Sequence, residues 1–363
     1  MIQIKPSIFY GEITKKLLGS HIYGENILVV SSKTVWRESY LRGVIDDFPN
    51  NYTFKIFTHI KANAPFSDIQ KVIDDYSSEQ LPDTIIAIGG GSIIDAGKAL
   101  SVSFQQISLY ELFNKLKPLP RRSINLIAIP TTAGTGAELS HGAIIFDDVN
   151  KIKGGIRGEI IQPNVVFIDP ELYRTAPKQI IAEVGFDCLT HAIETYLSLK
   201  SDPLLKYQSV AAIKTVFNFL PRAVEGDIFA IKNMAIASSL MGINLAYSST
   251  CLPHRIQYFI GPLTDTSHAQ GLIALYKGWM KLISFNSVKS GLNNLELDLG
   301  NNFNLVDKIH DLKETLDINY SISTLGVKET QIEHIAENII GSVQNDPIYK
   351  NKHTIIKILN ESL

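Results

Sequence analysis

The chain has 363 residues, of which 45% are hydrophobic and 19% charged, and its 34 basic and 36 acidic side chains give a formal charge of −2. This length exceeds what one hydrophobic core usually supports, so we expect two domains. The balanced charge, with no basic stripe and no long acidic tail, argues against nucleic-acid binding and against a solvating tail.

The cysteines indicate the cellular compartment, and the apolar segments indicate whether the chain associates with a membrane. Cys188 and Cys251 lack the CxxC spacing of a metal site and are too few for a disulfide framework. The first residues lack the apolar region of a signal peptide. The apolar stretch 234–252 is rich in Ala, Ser and Gly and contains Asn244, which is typical of a packed core helix. We therefore expect a cytoplasmic protein without a membrane span.

Up to about residue 170, short β-branched runs alternate with helix-like segments, one of which is 66–78. Several of the runs are apolar on both faces, as in parallel sheets that helices cover on both sides. The predicted strands are 26–32, 53–58, 84–90, 124–130 and 164–169.

Beyond about residue 178 the sequence is helical in character, with boundaries expected near Pro203, Pro221 and Pro253. The polar segment 291–305 is expected to be a loose connection. These patterns predict an α/β domain with a mainly parallel sheet over residues 1–178. An all-helical domain is predicted over residues 179–363.

A glycine-rich turn follows the third predicted strand, in "IIAIGGGSIIDAGKAL" (85–100). Glycines there let the backbone approach a diphosphate, which the unpaired N–H groups of the following helix would bind. The run lacks the GxGxxG fingerprint, because Ile94 occupies the third glycine position, and it has no GK[ST]. A tight strand-to-helix turn without a ligand is the alternative interpretation.

A second loop, "AIPTTAGTGAELS" (128–140), also follows a buried strand. Thr131, Thr132 and Thr135 can donate to phosphate or ribose oxygens, while Gly134 and Gly136 keep the loop close to a ligand. Threonines that only cap a helix are the alternative. Two such loops at strand ends of one sheet favour nucleotide binding.

The segment "GFDCLTHAIETY" (185–196) places Asp187 and His191 four residues apart, and therefore on one face of a helix. An Asp–His hydrogen bond in a core would explain this pair equally well. However, the segment 251–272 adds His254 and His268, separated by Pro and Gly residues. Three histidines and a carboxylate suit Zn²⁺ or Fe²⁺ better than Mg²⁺ or Ca²⁺.

Taken together, the motifs "GGGSIIDAGKA", "IPTTAGTGAE" and "GFDCLTHAIE", with two histidines 14 residues apart, resemble the iron-containing (group III) alcohol dehydrogenase family. The resemblance extends over essentially the whole chain. It implies the dehydroquinate synthase-like architecture, an NAD(P)(H) cofactor, one divalent metal (Fe²⁺ or Zn²⁺), a small-molecule aldehyde or alcohol substrate, and a homodimer. Sister families, 3-dehydroquinate synthase and glycerol dehydrogenase, share the glycine loop but not the PTTAGTG sequence.

The resemblance also implies roles for individual residues. The metal ligands would be Asp187, His191, His254 and His268. Asp95 would be both a cofactor contact and a catalytic residue. Lys153, expected after a surface hairpin, would contact the cofactor together with Gly90, Gly91, Ser92, Asp95, Thr131, Thr132 and Thr135.

The sequence departs from the family pattern at the position four residues after the third ligand, where Tyr258 stands instead of a frequent histidine. This exchange, with Pro253 before the ligand, resembles the branch that reduces phosphonoacetaldehyde. Tyr258 could relay a proton as a catalytic residue, or only line the pocket. Arg255 could neutralise an anionic substrate, or point away into a salt bridge.

A second departure concerns the cofactor. Relatives that prefer NAD often carry an aspartate at the end of the second strand, where this chain has Ser32 followed by Lys33. Without that carboxylate a 2′-phosphate is not repelled, so we expect Ser32 to lie at the ribose and NADP(H) to be tolerated.

Two other functions remain open at this stage. A cyclase of the dehydroquinate synthase type would recycle its bound NAD, and net NAD(P)H turnover would distinguish the two. A catalytically silent paralogue would bind metal and cofactor without turnover.

Overall fold

The computed structural model describes residues 5–76, 80–104 and 107–363. It consists of two compact units. The first contains the chain up to Thr132 together with Gly136–Pro177, and the second contains Ala133–Thr135 and Lys178–Leu363.

The first unit is built on a six-stranded sheet in the order β1-β8-β5-β4-β2-β3, in which every neighbouring pair is parallel. All residues of β4 and β8 are buried, because helices cover both faces of the sheet. The predicted mainly parallel sheet is therefore confirmed. The strands of the unit are β1 (Ser7–Tyr10), β2 (Asn26–Ser31), β3 (Thr53–Phe57), β4 (Thr84–Gly89), β5 (Asn125–Pro130), β6 (Gly142–Asp147), β7 (Ile152–Arg157) and β8 (Val165–Ile168).

Strands β1, β6 and β7 were not predicted. The strand β1 has mostly exposed residues because it lies at the sheet edge, and β6 and β7 form a separate antiparallel hairpin. The helices of this unit are α1 (Lys15–Gly19), α2 (Lys33–Glu38), α3 (Leu41–Asp46), α4 (Phe66–Tyr76), α5 (Gly91–Ser103), α6 (Leu109–Phe113) and α7 (Pro170–Tyr173), with a 3₁₀ turn at Glu159–Ile161. The last two positions of the helix predicted at 66–78 lie outside the described residues.

The second unit is helical, as predicted. Pro203 is the first residue of a helix and Pro253 the second, positions at which proline costs no hydrogen bond. The elements are α8 (Lys178–Leu197), α9 (Pro203–Val224), α10 (Ile228–Tyr247), α11 (Leu252–Thr264), α12 (His268–Phe285), α13 (Ser287–Ser290), α14 (Leu292–Leu299), α15 (Leu305–Leu316), α16 (Ile332–Asn338) and α17 (Lys352–Glu361), with 3₁₀ turns at Glu329–Gln331 and Val343–Asn345.

Two local predictions need adjustment. The boundary expected near Pro221 falls three residues later, because α9 continues past the proline to Val224, with buried side chains on both sides of it, and α10 begins at Ile228. The segment expected to be loose, 291–305, contains helix α14. Its buried Leu292, Leu295 and Leu299 lie on one face and pack inward.

By length and composition alone, helix α10 could cross a membrane, but buried core helices share these properties. Fifty-six per cent of its apolar window is buried within the protein. Asn244 on this helix is fully buried and donates to the Leu205 carbonyl and to the hydroxyls of Thr195 and Ser209. These are the contacts of a core helix. The helix predicted at 234–252 is observed closer to the N-terminus, since α10 runs from Ile228 to Tyr247.

Candidate active site

The two glycine-rich loops begin side by side in the first unit. They follow β4 and β5, which are parallel neighbours with Gly89 paired to Pro130. The Thr131 amide donates to the Gly89 carbonyl at 3.0 Å. A Cβ on Gly90 would lie 3.0 Å from the Thr132 hydroxyl, so a side chain there would crowd the second loop. The next strand, β2, ends beside β4 and is followed by Ser32.

The predicted cofactor contacts Ser92 and Lys153 are joined by Asn63, a residue that the sequence analysis missed. The main-chain N–H of Asn63 donates to the Ser92 hydroxyl at 2.9 Å. Lys153 Nζ donates to the side-chain oxygen Oδ1 of Asn63, also at 2.9 Å. Asn63 and Ala64 both have positive φ, which is costly outside glycine and often marks a functional loop. No sequence pattern predicts this loop.

Lys153 lies within β7 and not after the hairpin, so its predicted position in the chain is corrected. The hairpin places it opposite Phe146 of β6. Burial lowers the pKa of Lys153 to about 8. Its ammonium group therefore loses its charge as the pH rises through about 8 unless an anion binds there.

Asp95 faces the hairpin from helix α5. Its Oδ2 accepts from the Ile144 amide at 3.0 Å, and Lys98 Nζ lies 3.8 Å from its Oδ1. Lys98 is fully buried and donates to the carbonyls of Ser140 and Gly142. Burial raises the pKa of Asp95 to about 6 and lowers that of Lys98 to about 8. These contacts anchor the hairpin to α5, and a catalytic role for Asp95 stays a prediction.

Of the remaining predicted cofactor residues, Ser32 caps helix α2, because its hydroxyl accepts from the Val35 amide at 3.2 Å. Gly91 is the first residue of α5. Thr135 groups with the second unit. Gly134 is needed for packing there, since a Cβ would lie 2.1 Å from the Val184 carbonyl oxygen.

The second unit brings the four predicted metal ligands together from three helices. Asp187 and His191 lie on α8, His254 on α11, and His268 is the first residue of α12. Donor atoms of Asp187, His254 and His268 all lie within 4.8 Å of one another. His191 joins them, with Nε2 at 3.7 Å from Asp187 Oδ1 and its ring stacked on that of His254 at 4.6 Å.

Each of the three imidazoles has an oxygen at its Nδ1 atom. The Gly134 carbonyl lies 3.3 Å from His191 Nδ1, and Gln257 Oε1 lies 2.5 Å from His268 Nδ1. Glu194 Oε1 lies 2.8 Å from His254 Nδ1. An acceptor at Nδ1 favours a proton on that nitrogen and leaves the Nε2 lone pair for a cation.

The carboxylates favour positive charge at His254, whereas burial lowers the pKa of His191. Burial would raise the pKa of Asp187, but the three histidines hold it well below its usual range. Burial would lower the pKa of His254, but Glu194 and Asp187 outweigh it and raise that pKa to about 10. His254 Nε2 is nevertheless buried without a hydrogen-bond partner among the described residues. A divalent cation would satisfy this atom, and the donor set suits one of borderline softness.

Tyr258 and Arg255 lie next to this cluster on α11. The Tyr258 ring is 5.9 Å from that of His268, and the Arg255 guanidinium lies over the Tyr258 ring at 4.9 Å. Arg255 Nη2 donates to the Thr250 hydroxyl, whereas its buried Nε has no acceptor among the described residues. Arg255 forms no salt bridge with any described residue, so the alternative in which it points away into a salt bridge is not supported.

The sequence analysis missed the residues that hold the imidazoles. Glu194 was detectable, because it lies seven residues after Asp187 and three after His191 and so shares their helix face. Gln257 and the Gly134 carbonyl had no such signal, since only the fold brings them to their histidines.

Comparison with known proteins identifies the class. The family model "Iron-containing alcohol dehydrogenase" matches residues 6–170, and "Fe-containing alcohol dehydrogenase family, C-terminal" matches residues 181–363. The chain belongs to the iron-containing alcohol dehydrogenase family. The predicted family is thereby confirmed.

Individual relatives agree with this assignment. An alcohol dehydrogenase of Thermococcus barophilus is 30% identical over 240 residues, which are 64% of this chain and 63% of that protein. The chain thus matches less than two thirds of that relative. An NAD-dependent methanol dehydrogenase of Bacillus methanolicus is 26% identical over 85% of this chain and 84% of its own length. The structure of an iron-containing alcohol dehydrogenase from Thermococcus thioreducens superposes with a TM-score of 0.88 at 26% identity, covering 100% of this chain and 99% of that one.

Proposed function

We propose that the protein is a metal-dependent, NAD(P)-linked alcohol dehydrogenase or aldehyde reductase. The observation that carries the proposal is the buried cluster of Asp187, His191, His254 and His268, with the unpartnered Nε2 of His254 inside it. Buried polar atoms are normally satisfied, and a cation held by this cluster would account for the unpartnered nitrogen.

The four residues of the cluster would hold one divalent ion. When bound, that ion supplies Lewis acidity toward a substrate oxygen, and the nicotinamide supplies or accepts a hydride. We propose iron as the usual occupant from the family, with zinc as the alternative. Zinc generally binds such a donor set more tightly than iron, so metal availability decides the occupancy.

The cofactor would be held by the adjoining loops of the first unit. Backbone N–H groups at Gly90, Gly91 and Ser92 begin helix α5, where unpaired donors and the helix dipole favour a diphosphate. Thr131, Thr132 and Lys153 would add donors from the neighbouring loop and hairpin, and Thr135 is proposed from the motif. Ser32 offers no carboxylate against a 2′-phosphate, so we propose that NADP(H) is accepted as well as NAD(H).

On the substrate side, reduction of an aldehyde needs a proton on the oxygen in addition to the hydride on carbon. We propose Tyr258, beside His268, as the group that passes this proton. Arg255, which has no carboxylate partner among the described residues, would bind an anionic group of the substrate. A small aldehyde bearing a phosphonate or carboxylate is therefore the proposed preferred class, with the protein acting as a cytoplasmic homodimer.

The test is an assay of the full-length protein with a panel of aldehydes. Neutral, carboxylate-bearing and phosphonate-bearing aldehydes of matched length are reduced with NADH and with NADPH after loading with Fe²⁺ or Zn²⁺. Stoichiometric oxidation of NAD(P)H that disappears in His254→Ala supports the proposal. Product formation without net NAD(P)H oxidation would indicate a recycling cyclase, and cofactor and metal binding without turnover would indicate a silent paralogue.

A further inference from the structure

Glu194 is a buried carboxylate at the point where the three ligand-bearing helices meet. It lies on α8, is completely buried, and accepts from His254 Nδ1 on α11 at 2.8 Å. Its other oxygen accepts from the Cys251 amide, at the start of α11, at 2.7 Å. The Tyr276 hydroxyl of α12 lies 3.4 Å from the first oxygen.

We propose that Glu194 is a positioning residue that sets the affinity of the Asp187–histidine cluster for a divalent cation, acting through His254. This inference rests on the proposed function, because it concerns the same cation. Glu194 itself lies behind the imidazole and is not a ligand.

The three imidazoles differ in the acceptor behind them, and this difference carries the argument. Gly134 presents a main-chain carbonyl to His191, and Gln257 presents an amide oxygen to His268, so both acceptors are neutral. His254, by contrast, has the carboxylate of Glu194 behind it. A carboxylate makes the opposite ring nitrogen a stronger donor to a cation, and removing such a partner typically weakens metal binding about 10- to 100-fold.

The charges around His254 also indicate that Glu194 contributes to the affinity for a cation. Asp187 in front of His254 and Glu194 behind it place two carboxylates around one ring. Two buried negative charges match a divalent cation, whereas a single one would leave excess positive charge among buried side chains.

The competing explanation is that Glu194 only stabilises the fold, and Asp346 provides a matched control. Asp346 is also a buried carboxylate. It accepts from the Leu252 amide at the start of α11 at 3.0 Å and from the Trp279 indole of α12 at 2.9 Å. It therefore binds the same two helices as Glu194, but it touches no imidazole of the cluster.

The experiment compares Glu194→Gln with Asp346→Asn in the full chain. Glutamine keeps the shape but has a single acceptor oxygen, so either His254 or the Cys251 amide loses its partner. Metal-free protein is titrated with Zn²⁺ against a chromophoric chelator, and the absorption spectrum of the Co²⁺ form reports the geometry of the site.

We expect Glu194→Gln to raise the Kd for Zn²⁺ about 10- to 100-fold and to alter the Co²⁺ spectrum. For Asp346→Asn we expect a Kd within about threefold of wild type, even if its melting temperature falls by as much as that of Glu194→Gln. Equal Kd values in Glu194→Gln and wild type would overturn the inference. Equal weakening in both variants would overturn it too, because fold stability alone would then explain the effect.

A second variant keeps the inference testable if Glu194→Gln does not fold. Gln257→Glu puts a carboxylate behind His268, so it should lower the Kd for Zn²⁺, although it also removes the long Gln257 Nε2 hydrogen bond to the Ser267 carbonyl. An unchanged or higher Kd would count against charge behind the imidazole as the controlling factor. The metal assignment itself is tested separately by His254→Ala. Intact Zn²⁺ binding in that variant refutes the proposed metal site, whereas its loss with an unaffected Glu194→Gln refutes only this inference.

Discussion

The Nδ1 atom of His254 lies 2.8 Å from a carboxylate oxygen of Glu194. On the other side of the ring, Nε2 lies 3.6 Å from Asp187 Oδ1 and has no hydrogen-bond partner among the described residues. The imidazole is thus held from behind while its Nε2 atom faces the other ligand atoms. This arrangement is suited to binding a cation, since the ring needs little reorganisation when the cation enters.

Replacing His268 by alanine should abolish bound metal, because the cluster loses one of its imidazole donors. Metal content is measured by mass spectrometry of purified protein, and NADH binding by fluorescence. We expect metal loss with NADH affinity within about threefold of wild type, since the cofactor residues of the first unit are unchanged. His310→Ala, at an exposed position on α15, is the control. Full metal content in His268→Ala would contradict the assignment.

Gly91→Val should weaken cofactor binding without changing metal content. The side chain would stand at the first residue of α5, where a diphosphate approaches the backbone N–H groups. Losing one hydrogen bond to a charged group costs about 1.5–3 kcal/mol, or about a tenfold to hundredfold rise in Kd for NADH. Gly43→Val, in helix α3 where a Cβ meets nothing within 4 Å, controls for helix destabilisation. If calorimetry gave both variants the wild-type Kd, the glycine-rich turn would be only a turn.

Cofactor affinity should fall as the pH rises through about 8. Burial lowers the pKa of Lys153 from 10.5 to about 8, so the free protein loses this positive charge in that range. The protonated amine is the form that attracts a diphosphate, so affinity is highest below pH 8 and falls by up to about tenfold per pH unit above it. Lys153→Arg keeps its charge throughout, and its NADH affinity should stay flat to about pH 9.5. Identical pH profiles for both proteins would exclude Lys153 as a cofactor contact.

Tyr258→Phe keeps the ring beside His268 and removes only the hydroxyl. If this hydroxyl passes the proton, kcat should fall by about 10²–10⁴, the usual contribution of a general acid. The KM for aldehyde and the metal content should stay near their wild-type values, because the ring packing is retained. An unchanged kcat would mean that solvent or a cofactor hydroxyl carries the proton. Single-turnover measurements would show whether the chemical step is the one affected.

Arg255→Ala should discriminate between charged and neutral substrates. A lost charge-assisted hydrogen bond costs about 1.5–3 kcal/mol, so kcat/KM for anionic aldehydes should fall about tenfold to hundredfold. Neutral aldehydes of the same length should be nearly unaffected. Arg222→Ala, on the surface of α9 and paired with Asp227, serves as a control for loss of one arginine. Equal losses for both substrate classes would make Arg255 a structural residue through its stacking on Tyr258.

Some errors of the sequence analysis have a common physical cause. Helix α14 was missed because Asn, Asp and Gly around it conceal three leucines at helical spacing. The resemblance implied a hairpin before Lys153, but the pattern did not predict its strands, and in β7 Gly154 and Gly155 weaken the strand signal. Gly154 is nevertheless required, since a Cβ there would lie 2.6 Å from the Phe113 ring. Such a requirement arises from a contact between distant residues, which a local pattern does not contain.

By itself the sequence determined the parallel sheet, the helical second half and the four clustered residues. Strands such as β4 are apolar on both faces, and the spacing of Asp187 and His191 places both on one turn of a helix. Tertiary structure alone decided which atoms stand behind the imidazoles and which loop joins Ser92 to Lys153. The reason is that helix and strand periodicity is a local property of the chain. The hydrogen bond from His254 to Glu194, by contrast, joins residues 60 positions apart and forms only when α8 and α11 pack together.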